Sequence, residues 1–347
     1  MTPQQTTLYD VPTIVSASPL TTPIRTVYLH VTKACNLHCA YCYFSAKRPL
    51  PNEMTREEYQ RVWQELVPLR PQNIIFTGGE PLLRSDLLDL MRDLKAADPQ
   101  HHIHRCLNSN GHLVTRDFAL SVVGLADEVR ISLDGMEQTN DGMRGVGNFA
   151  AALAALDHYY AVGFEPKVLV TVTAPVVPDL EELLCLLLTR KFTRIHLNNF
   201  RAIGRGRGHV EWKPDQARVQ QAVRRAWARC YPDRPPLTET PDTGGEIHCR
   251  VGNNLSLLPN GDVFACHVLT QPEMRCGNVR EQPLTEIGAR NGLLGTLANL
   301  DFRDLVAQDE QVGALLQTKA CLGDVYAQNR DLAVWRRNLP LIPLTPK

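Results

Sequence analysis

Residues 29–44 read LHVTKACNLHCAYCYF and place Cys35, Cys39 and Cys42 within eight residues, in the pattern C-x3-C-x2-C. Three thiolates on one loop can hold three corners of a cube-shaped iron-sulfur cluster and leave the fourth iron without a protein ligand. A structural zinc site is normally closed by four ligands, and no fourth cysteine lies nearby. The spacing therefore favours an open iron-sulfur site, with a zinc site or buried packing thiols as the alternatives.

The composition is that of a globular protein with room for two domains or for one large barrel with an appendage. The chain has 347 residues, 44% of them hydrophobic, and its 37 Lys and Arg residues equal its 37 Asp and Glu residues. This balance creates no overall positive field, so nucleic acid is not an expected partner. No apolar run reaches the roughly 18 residues that a membrane span needs, so no membrane association is expected.

The amino-terminal residues 1–25 are rich in Thr, Pro and Ser, which predicts an irregular arm. They lack the basic and apolar parts of a signal peptide, and this predicts a cytoplasmic location. In that reducing compartment the ten cysteines are not expected to form a disulfide framework.

Strands and helices alternate from residue 26 to residue 229. Residue type and apolar spacing predict strands at 26–31, 73–76, 103–107, 129–133, 167–173 and 194–199, with helices at 55–66, 86–97, 116–123, 148–162, 179–189 and 214–229. The first helix begins with a capping box, Thr55 to Glu58. Six such units predict a parallel sheet, either doubly wound or curled into a barrel, with its chemistry at the carboxyl ends of the strands.

Polar and glycine-rich segments follow the first four strands at that same end of the predicted sheet. After the cysteine loop come residues 77–81 (TGGEP), 108–111 (NSNG) and 132–135 (SLDG). Each alone is typical of an ordinary turn, because Gly, Asn, Asp and Pro are the common turn formers. Four of them in series at one sheet edge favour a shared binding site.

These motifs resemble the radical SAM superfamily, and the resemblance covers about residues 26–210. It implies a partial (β/α)6 TIM-like barrel and a [4Fe-4S] cluster on Cys35, Cys39 and Cys42 whose unique iron chelates S-adenosylmethionine. The further residues that it assigns to S-adenosylmethionine are an aromatic residue, a Gly-Gly-Glu motif, positions near the ribose and an arginine near the carboxylate: Tyr41, Gly78, Gly79, Glu80, Asn110, Ser132, Asp134 and Arg144.

The same resemblance implies the chemistry and a partner. A reduced cluster cleaves S-adenosylmethionine to methionine and a 5′-deoxyadenosyl radical, which abstracts hydrogen from the substrate. The electron is expected from a reducing partner such as flavodoxin or ferredoxin. Residues 203–208, IGRGRG, resemble a Gly-Arg element after the barrel; they are interpreted as a flexible basic linker or as Arg205 and Arg207 holding an anionic substrate group.

A second group of cysteines lies near the carboxyl terminus. Two apolar runs around Pro259-Asn260-Gly261-Asp262 predict a hairpin with a tight type I′ turn. The spacing resembles a SPASM or twitch extension, a small α+β domain that implies an auxiliary iron-sulfur cluster. Its candidate ligands are Cys249, Cys266, Cys276 and Cys321, with Asp324, His267 or substrate as other choices for the fourth ligand and a domain without a cluster as the alternative.

The other thiols carry simpler expectations. Cys106, Cys185 and Cys230 lie in predicted strands or helices and are interpreted as packing residues. Cys276, if it is not a ligand, is a candidate catalytic residue that gives a hydrogen atom to a substrate radical.

The sequence predicts four segments: an arm at 1–25, a barrel at 26–230, a linker at 231–246 and the auxiliary cluster domain at 247–347. The expected function is radical modification of a peptide, such as crosslinking, epimerisation or oxidation. Radical chemistry on a sugar, aminoglycoside or nucleoside in natural-product biosynthesis is the alternative, and a non-catalytic iron-sulfur or zinc protein is a remote one.

Overall fold

A computed structural model describes residues 24–234, 251–288 and 294–295. Its barrel elements are β1 (Thr26–Thr32), α1 (Arg56–Leu66), β2 (Asn73–Gly78), α2 (Leu87–Ala97), β3 (His104–Ser109), α3 (Arg116–Val122), β4 (Glu128–Ser132), α4 (Glu137–Arg144), α5 (Asn148–Ala161), β5 (Lys167–Val172), α6 (Leu180–Thr189), β6 (Ile195–Asn199) and α7 (Gln216–Cys230). The extension contributes β7 (Asn254–Leu257), β8 (Asp262–Phe264), β9 (Arg275–Asn278) and α8 (Leu284–Ile287).

The strand order decides between the two predicted architectures. Strands β1 to β6 are parallel and lie in chain order in one sheet. A doubly wound sheet would reverse its order at a switch point, whereas sequential right-handed crossovers place every helix on one face and curl the sheet. The fold is therefore a partial (β/α)6 barrel, as predicted.

Along the barrel strands, apolar side chains that face the helices alternate with polar side chains that face the barrel interior. In β4, Val129 and Ile131 are fully buried against the helices, while Arg130 and Ser132 line a cavity on the inner face. The same holds in β5, where Val168 and Val170 are buried. Because successive side chains of a strand point to opposite faces, the apolar core lies between sheet and helices and the barrel interior is polar.

The extension continues the barrel sheet. Strand β7 pairs in parallel with β1, and β8 and β9 follow in antiparallel pairing. Arg280, beyond β9, donates two hydrogen bonds of 2.6 and 2.8 Å to the carboxylate of Glu58 in α1. The hairpin is thus fixed beside the strand that leads into the cysteine loop.

The structure confirms most of the predicted elements and corrects two details. Thr55 caps α1, and both hydrogen bonds of the capping box are present. The turn between β7 and β8 is not of type I′: Gly261 alone has positive φ, at 89°, and its N–H donates to the carbonyl of Leu258 at 3.0 Å. A type I′ turn centred on Asn260 and Gly261 needs positive φ at both residues, and Asn260 does not have it.

Helix α4 was not predicted, because its sequence EQTNDGMR contains weak helix formers. Tertiary contacts hold it in place: the buried Asn140 accepts a hydrogen bond from the Asp134 N–H at 3.0 Å.

One prediction about the organisation of the chain remains open. The four-segment division stays a prediction, and residues 1–23 and 235–250 lie outside the described ranges. Among the described residues, no helix combines the length and apolarity required to cross a membrane.

Candidate active site

A cavity of about 490 Å³ opens at the carboxyl ends of the barrel strands. All three loop thiols, Cys35, Cys39 and Cys42, line it. So do six of the eight residues predicted to bind S-adenosylmethionine: Tyr41, Gly79, Glu80, Asn110, Ser132 and Arg144. Of the other two, Gly78 ends β2, and Asp134 is fully buried. The structure therefore brings the predicted motifs together around one space.

The Gly-Gly-Glu segment is joined directly to the cysteine loop. The N–H of Gly79 donates to the carbonyl of Thr32, and the N–H of Glu80 donates to the carbonyl of Ala34, both at 2.8 Å. A Cβ on Gly79 would lie 1.8 Å from the Ala34 oxygen, and Gly78 has φ of +137°. Only glycine allows this contact. The two glycines thus let one backbone segment support the loop that carries the thiols.

The Gly204-Arg205 segment contacts the same loop further along the chain. Arg205 donates from Nε to the Cys39 carbonyl and from Nη1 to the Ala46 carbonyl, both at 2.8 Å, and from its backbone N–H to the Cys42 carbonyl at 3.0 Å. A Cβ on Gly204 would lie 2.4 Å from that Cys42 oxygen. The expectation that Arg205 grips a substrate anion is therefore revised, because its donors support the cysteine loop.

Tyr41, Asp134 and Arg144 form a buried cluster beside Cys39. The guanidinium of Arg144 donates from Nε and Nη2 to the Asp134 carboxylate at 2.6 and 3.1 Å and lies 5.6 Å from the centre of the Tyr41 ring. The Tyr41 hydroxyl donates to the same carboxylate. Burial raises the pKa of Cys39, and the Arg144 guanidinium opposes that rise. Arg144 thus supplies positive charge next to a candidate cluster ligand.

Glu80 is held by three donors. Its carboxylate accepts from Ser109 Oγ at 2.9 Å, the Asn110 N–H at 2.8 Å and the Leu82 N–H at 3.3 Å. A carboxylate offers about four acceptor positions, so one remains for a ligand. Burial raises the pKa of Glu80 to about 7. A bound ammonium group would restore the ionised form.

The positions of the thiols fit a cluster better than a single ion. Thiolates around a tetrahedral zinc ion lie about 4 Å apart, since each Zn–S bond is about 2.3 Å. Among the residues that the structure describes, the three-donor group within 4.8 Å is His104, Cys106 and Glu128, and the three loop thiols do not form such a group. A cube-shaped cluster separates its ligands more widely and suits this loop.

Half of the predicted auxiliary ligand set is described. The thiol of Cys266 accepts a hydrogen bond from the Val268 N–H at 3.5 Å and lies 3.9 Å from Nδ1 of His267. That imidazole stacks on Tyr28 at 4.1 Å and meets the edge of Tyr43, the residue after Cys42, at 5.7 Å. Aromatic rings therefore connect the extension to the cysteine loop.

The remaining thiols are distributed as follows. Cys276 is not among the cavity-lining residues of the described chain, and its thiol lies 3.6 Å from the Met274 carbonyl. Its catalytic role remains a prediction. Cys106 is buried in β3, and Cys185 in α6 lies 3.1 Å from Cys230 in α7, sulfur to sulfur. Cys249, Cys321 and Asp324 fall outside the described residues.

Comparison with known proteins addresses the family. The profile of the radical SAM superfamily matches residues 29–186. The mycofactocin maturase MftC of Mycobacterium ulcerans is 30% identical over 263 residues, which are 72% of this chain and 70% of that protein. The chain belongs to the radical SAM superfamily. A SPASM profile, described as an iron-sulfur cluster-binding domain, matches residues 249–306.

Two further proteins are similar to the chain, one in sequence and one in fold. The Fe-coproporphyrin III synthase of Methanosarcina barkeri is 33% identical over 57% of this chain and 49% of its own length. The crystal structure of Streptococcus suis SuiB bound to S-adenosylmethionine aligns with 90% of this chain and 75% of that chain, with a TM-score of 0.68 and 15% identity. The second likeness concerns the fold alone.

Membership in the superfamily identifies the chain as an enzyme and its cofactors as a [4Fe-4S] cluster and S-adenosylmethionine, and the SPASM domain adds auxiliary iron-sulfur binding. We propose that Cys35, Cys39 and Cys42 hold the first cluster, and that Glu80 binds the amino group of S-adenosylmethionine. Cys266 and Cys276 are proposed ligands of an auxiliary cluster, together with Cys249 and Cys321.

Two residues that contact the predicted site residue Asn110, namely Asn36 and Asn148, were not predicted. Asn110 donates from Nδ2 to Asn36 Oδ1 at 2.8 Å, and Asn148 donates to the Asn110 carbonyl at 2.9 Å. No local motif marks these long-range contacts. The inward polar residues of the strands do leave a signal, because they alternate with Val and Ile in β4 and β5.

Replacing Gly79 by Ala tests how the loop is held. The added Cβ cannot coexist with the Ala34 carbonyl, so the loop must shift and its cluster should be lost. We expect G79A to bind about four fewer iron atoms per chain than the wild type after anaerobic reconstitution. G142A is the matched control, since its Cβ meets nothing within 4 Å. Equal iron content in G79A and the wild type would contradict this account of the loop.

The raised pKa of Glu80 predicts how cofactor binding depends on pH. The free carboxyl is protonated below about pH 7, so binding of an ammonium group there requires release of a proton. Affinity for S-adenosylmethionine should rise by up to tenfold per unit as pH approaches 7 from below and should level off above it. Equilibrium dialysis at several pH values measures the affinity for S-adenosylmethionine. The control variant E137Q, which changes an exposed carboxyl, should keep the pH dependence of the wild type, and E80Q should lose it. An unchanged profile in E80Q would show that another group titrates.

Proposed function

We propose that this enzyme modifies a peptide by hydrogen abstraction. The observation that carries the proposal is the match to a maturase over 72% of the chain, which is more than the six barrel units alone. The match to the Fe-coproporphyrin III synthase covers 57%. A crystal structure of SuiB, a protein of similar fold, contains its precursor peptide SuiA, which adds support at the level of the fold.

Different residues of the chain would bind the metal, bind the cofactor and orient its nucleoside in such a reaction. When bound and reduced, the cluster supplies the electron that converts S-adenosylmethionine to methionine and a 5′-deoxyadenosyl radical. Cys35, Cys39 and Cys42 hold the metal, and the fourth acceptor position of Glu80 takes the cofactor's ammonium group. Asn110 and Ser132 lie on the cavity wall, where they can orient a nucleoside by hydrogen bonds.

The rest of the site keeps these groups in position. The Gly-Gly-Glu segment and Arg205 hold the cysteine loop by hydrogen bonds to different backbone carbonyls. The Asp134 carboxylate pairs with Arg144 and accepts a hydrogen bond from the Tyr41 hydroxyl. These contacts fix the positions of the Arg144 and Tyr41 side chains next to Cys39. The cavity extends from the thiols into the polar barrel interior, which leaves space for a substrate group beneath the cofactor.

A tetrapyrrole substrate is the second candidate function. It is favoured by relatives named Fe-coproporphyrin III synthase and, at 29% identity over 67% of this chain, pre-heme d1 synthase of Dinoroseobacter shibae. The sugar or nucleoside alternative of the sequence analysis is supported by none of the relatives named here.

The first experiment asks whether the chain performs the radical step. Reconstituted protein with dithionite and S-adenosylmethionine should yield 5′-deoxyadenosine, because the loop holds a cluster with an open iron. C39A removes one of the three ligands and should yield none, measured by liquid chromatography. C230A, which changes a thiol between α6 and α7, is the matched control and should match the wild type. Equal product from the wild type and C39A would contradict the proposal.

Substrate class is tested with the same protein. Peptides encoded beside the gene and Fe-coproporphyrin III are incubated separately with it, and each product mass is measured. A mass change in a peptide supports the proposal. A mass change confined to the tetrapyrrole would replace the proposal by the second candidate function.

A further inference from the structure

The floor of the barrel carries an unusual row of polar side chains. Asn108, Arg130 and Lys167 lie at matching positions of three neighbouring strands, since Asn108 pairs with Arg130 and Arg130 pairs with Lys167. All three line the cavity. Barrel interiors are usually filled by branched apolar residues, so a row that includes two cations calls for a functional explanation.

The charges at this level do not balance. The carboxylate of Glu128, which is 4% exposed, pairs with three cationic side chains. Arg130 donates a hydrogen bond to it, and the nitrogens of Lys167 and Arg194 lie 2.8 and 2.6 Å from its Oε2. One carboxylate therefore serves three cations. Two positive charges remain in excess, and two of the three cationic side chains line the cavity.

A metal ion does not suit this place, although His104, Cys106 and Glu128 bring three donor atoms within 4.8 Å. Arg130 donates to the Cys106 sulfur at 3.4 Å, and Glu128 is already shared among cations. An added cation would meet repulsion from these groups. An anion would be attracted by them.

Two further groups refine the ligand. His196, which lines the cavity one level nearer its mouth, has its pKa lowered by burial and then by Lys167 and Arg130, so it stays neutral and does not add charge. The side-chain oxygen of Asn108 is buried without a hydrogen-bond partner among the described residues. A peptide end or acidic residue offers both a carboxylate for the cations and an N–H group for this oxygen.

We propose that Arg130 and Lys167 bind a carboxylate group of the substrate at the floor of the barrel. This inference rests on the proposed function, because it identifies the part of a peptide that enters the cavity. The guanidinium uses one N–H of Nε for Glu128 and one of Nη2 for the Cys106 sulfur, so its other N–H groups can donate to the carboxylate, and the ammonium adds a point charge. The arrangement selects a C-terminal carboxylate or an Asp or Glu side chain and rejects a neutral end.

Small peptide fragments test this directly. N-acetyl-alanine carries a terminal carboxylate, N-acetyl-aspartic acid α-amide carries a side-chain carboxylate, and N-acetyl-alanine amide carries neither. Each is titrated into reconstituted, unreduced protein with saturating S-adenosylmethionine, so that the cofactor's own site is filled. At ten times its dissociation constant a bound acid should raise the melting temperature by about 2 °C. The amide should cause no shift.

Variants of Arg130 and Lys167 test whether these residues cause the rise in melting temperature. R130Q and K167Q should lose the shift, while K167R, which keeps the charge, should retain it. K95Q removes an exposed cation from α2 and serves as the matched control. Each variant is first checked for wild-type iron content, which shows that the barrel has folded.

The outcomes are distinct from those of the radical test. A larger shift with one acid identifies the terminal or the side-chain carboxylate as the group bound, and either result supports the proposal. Equal behaviour of acids and amide, or an undiminished shift in both R130Q and K167Q, would overturn it. Since no radical forms in this measurement, its failure would leave the result of the 5′-deoxyadenosine experiment unaffected.

Discussion

The approach of Gly79 to the Ala34 carbonyl is the contact on which the rest of the site depends. A side chain at position 79 would place its Cβ 1.8 Å from the Ala34 oxygen. The two backbone segments that follow β1 and β2 can therefore lie together only because residue 79 has no side chain. Arg205 completes the enclosure through the carbonyls of Cys39 and Ala46. The cysteine loop has little regular structure of its own, and these backbone contacts give it a defined shape.

The polar interior of the barrel connects this loop to a substrate. Apolar residues on the outer faces of β4 and β5 form the core with the helices, which frees the inner faces for Arg130, Lys167 and their neighbours. Glu128 lowers the cost of placing these cations together, since each buried charge needs a partner. The residual positive charge lies at the opposite end of the cavity from the thiols. A substrate held there by its carboxylate would present its adjacent atoms toward the cofactor.

Local sequence patterns predicted much of this fold, because alternation of strand and helix, the capping box at Thr55 and the spacing of the cysteines are local properties. Strand order, which is not a local property, distinguishes a barrel from a doubly wound sheet. Helix α4 could not be predicted because it depends on tertiary contacts of Asn140. The role of Arg205 stayed open at the level of sequence, because a basic Gly-Arg segment has no local sign of which backbone it will meet. The alternating polar residues of β4 and β5 are a local signal of the polar barrel interior.

We propose that the cysteine loop by itself holds a cluster whose open iron binds S-adenosylmethionine. Electron paramagnetic resonance of the dithionite-reduced C266A/C276A double variant tests it most directly, because the double variant removes the described candidate ligands of the auxiliary cluster. The account predicts a [4Fe-4S] signal whose g-values change when S-adenosylmethionine is added. The absence of a signal, or a signal that S-adenosylmethionine leaves unchanged, would contradict it.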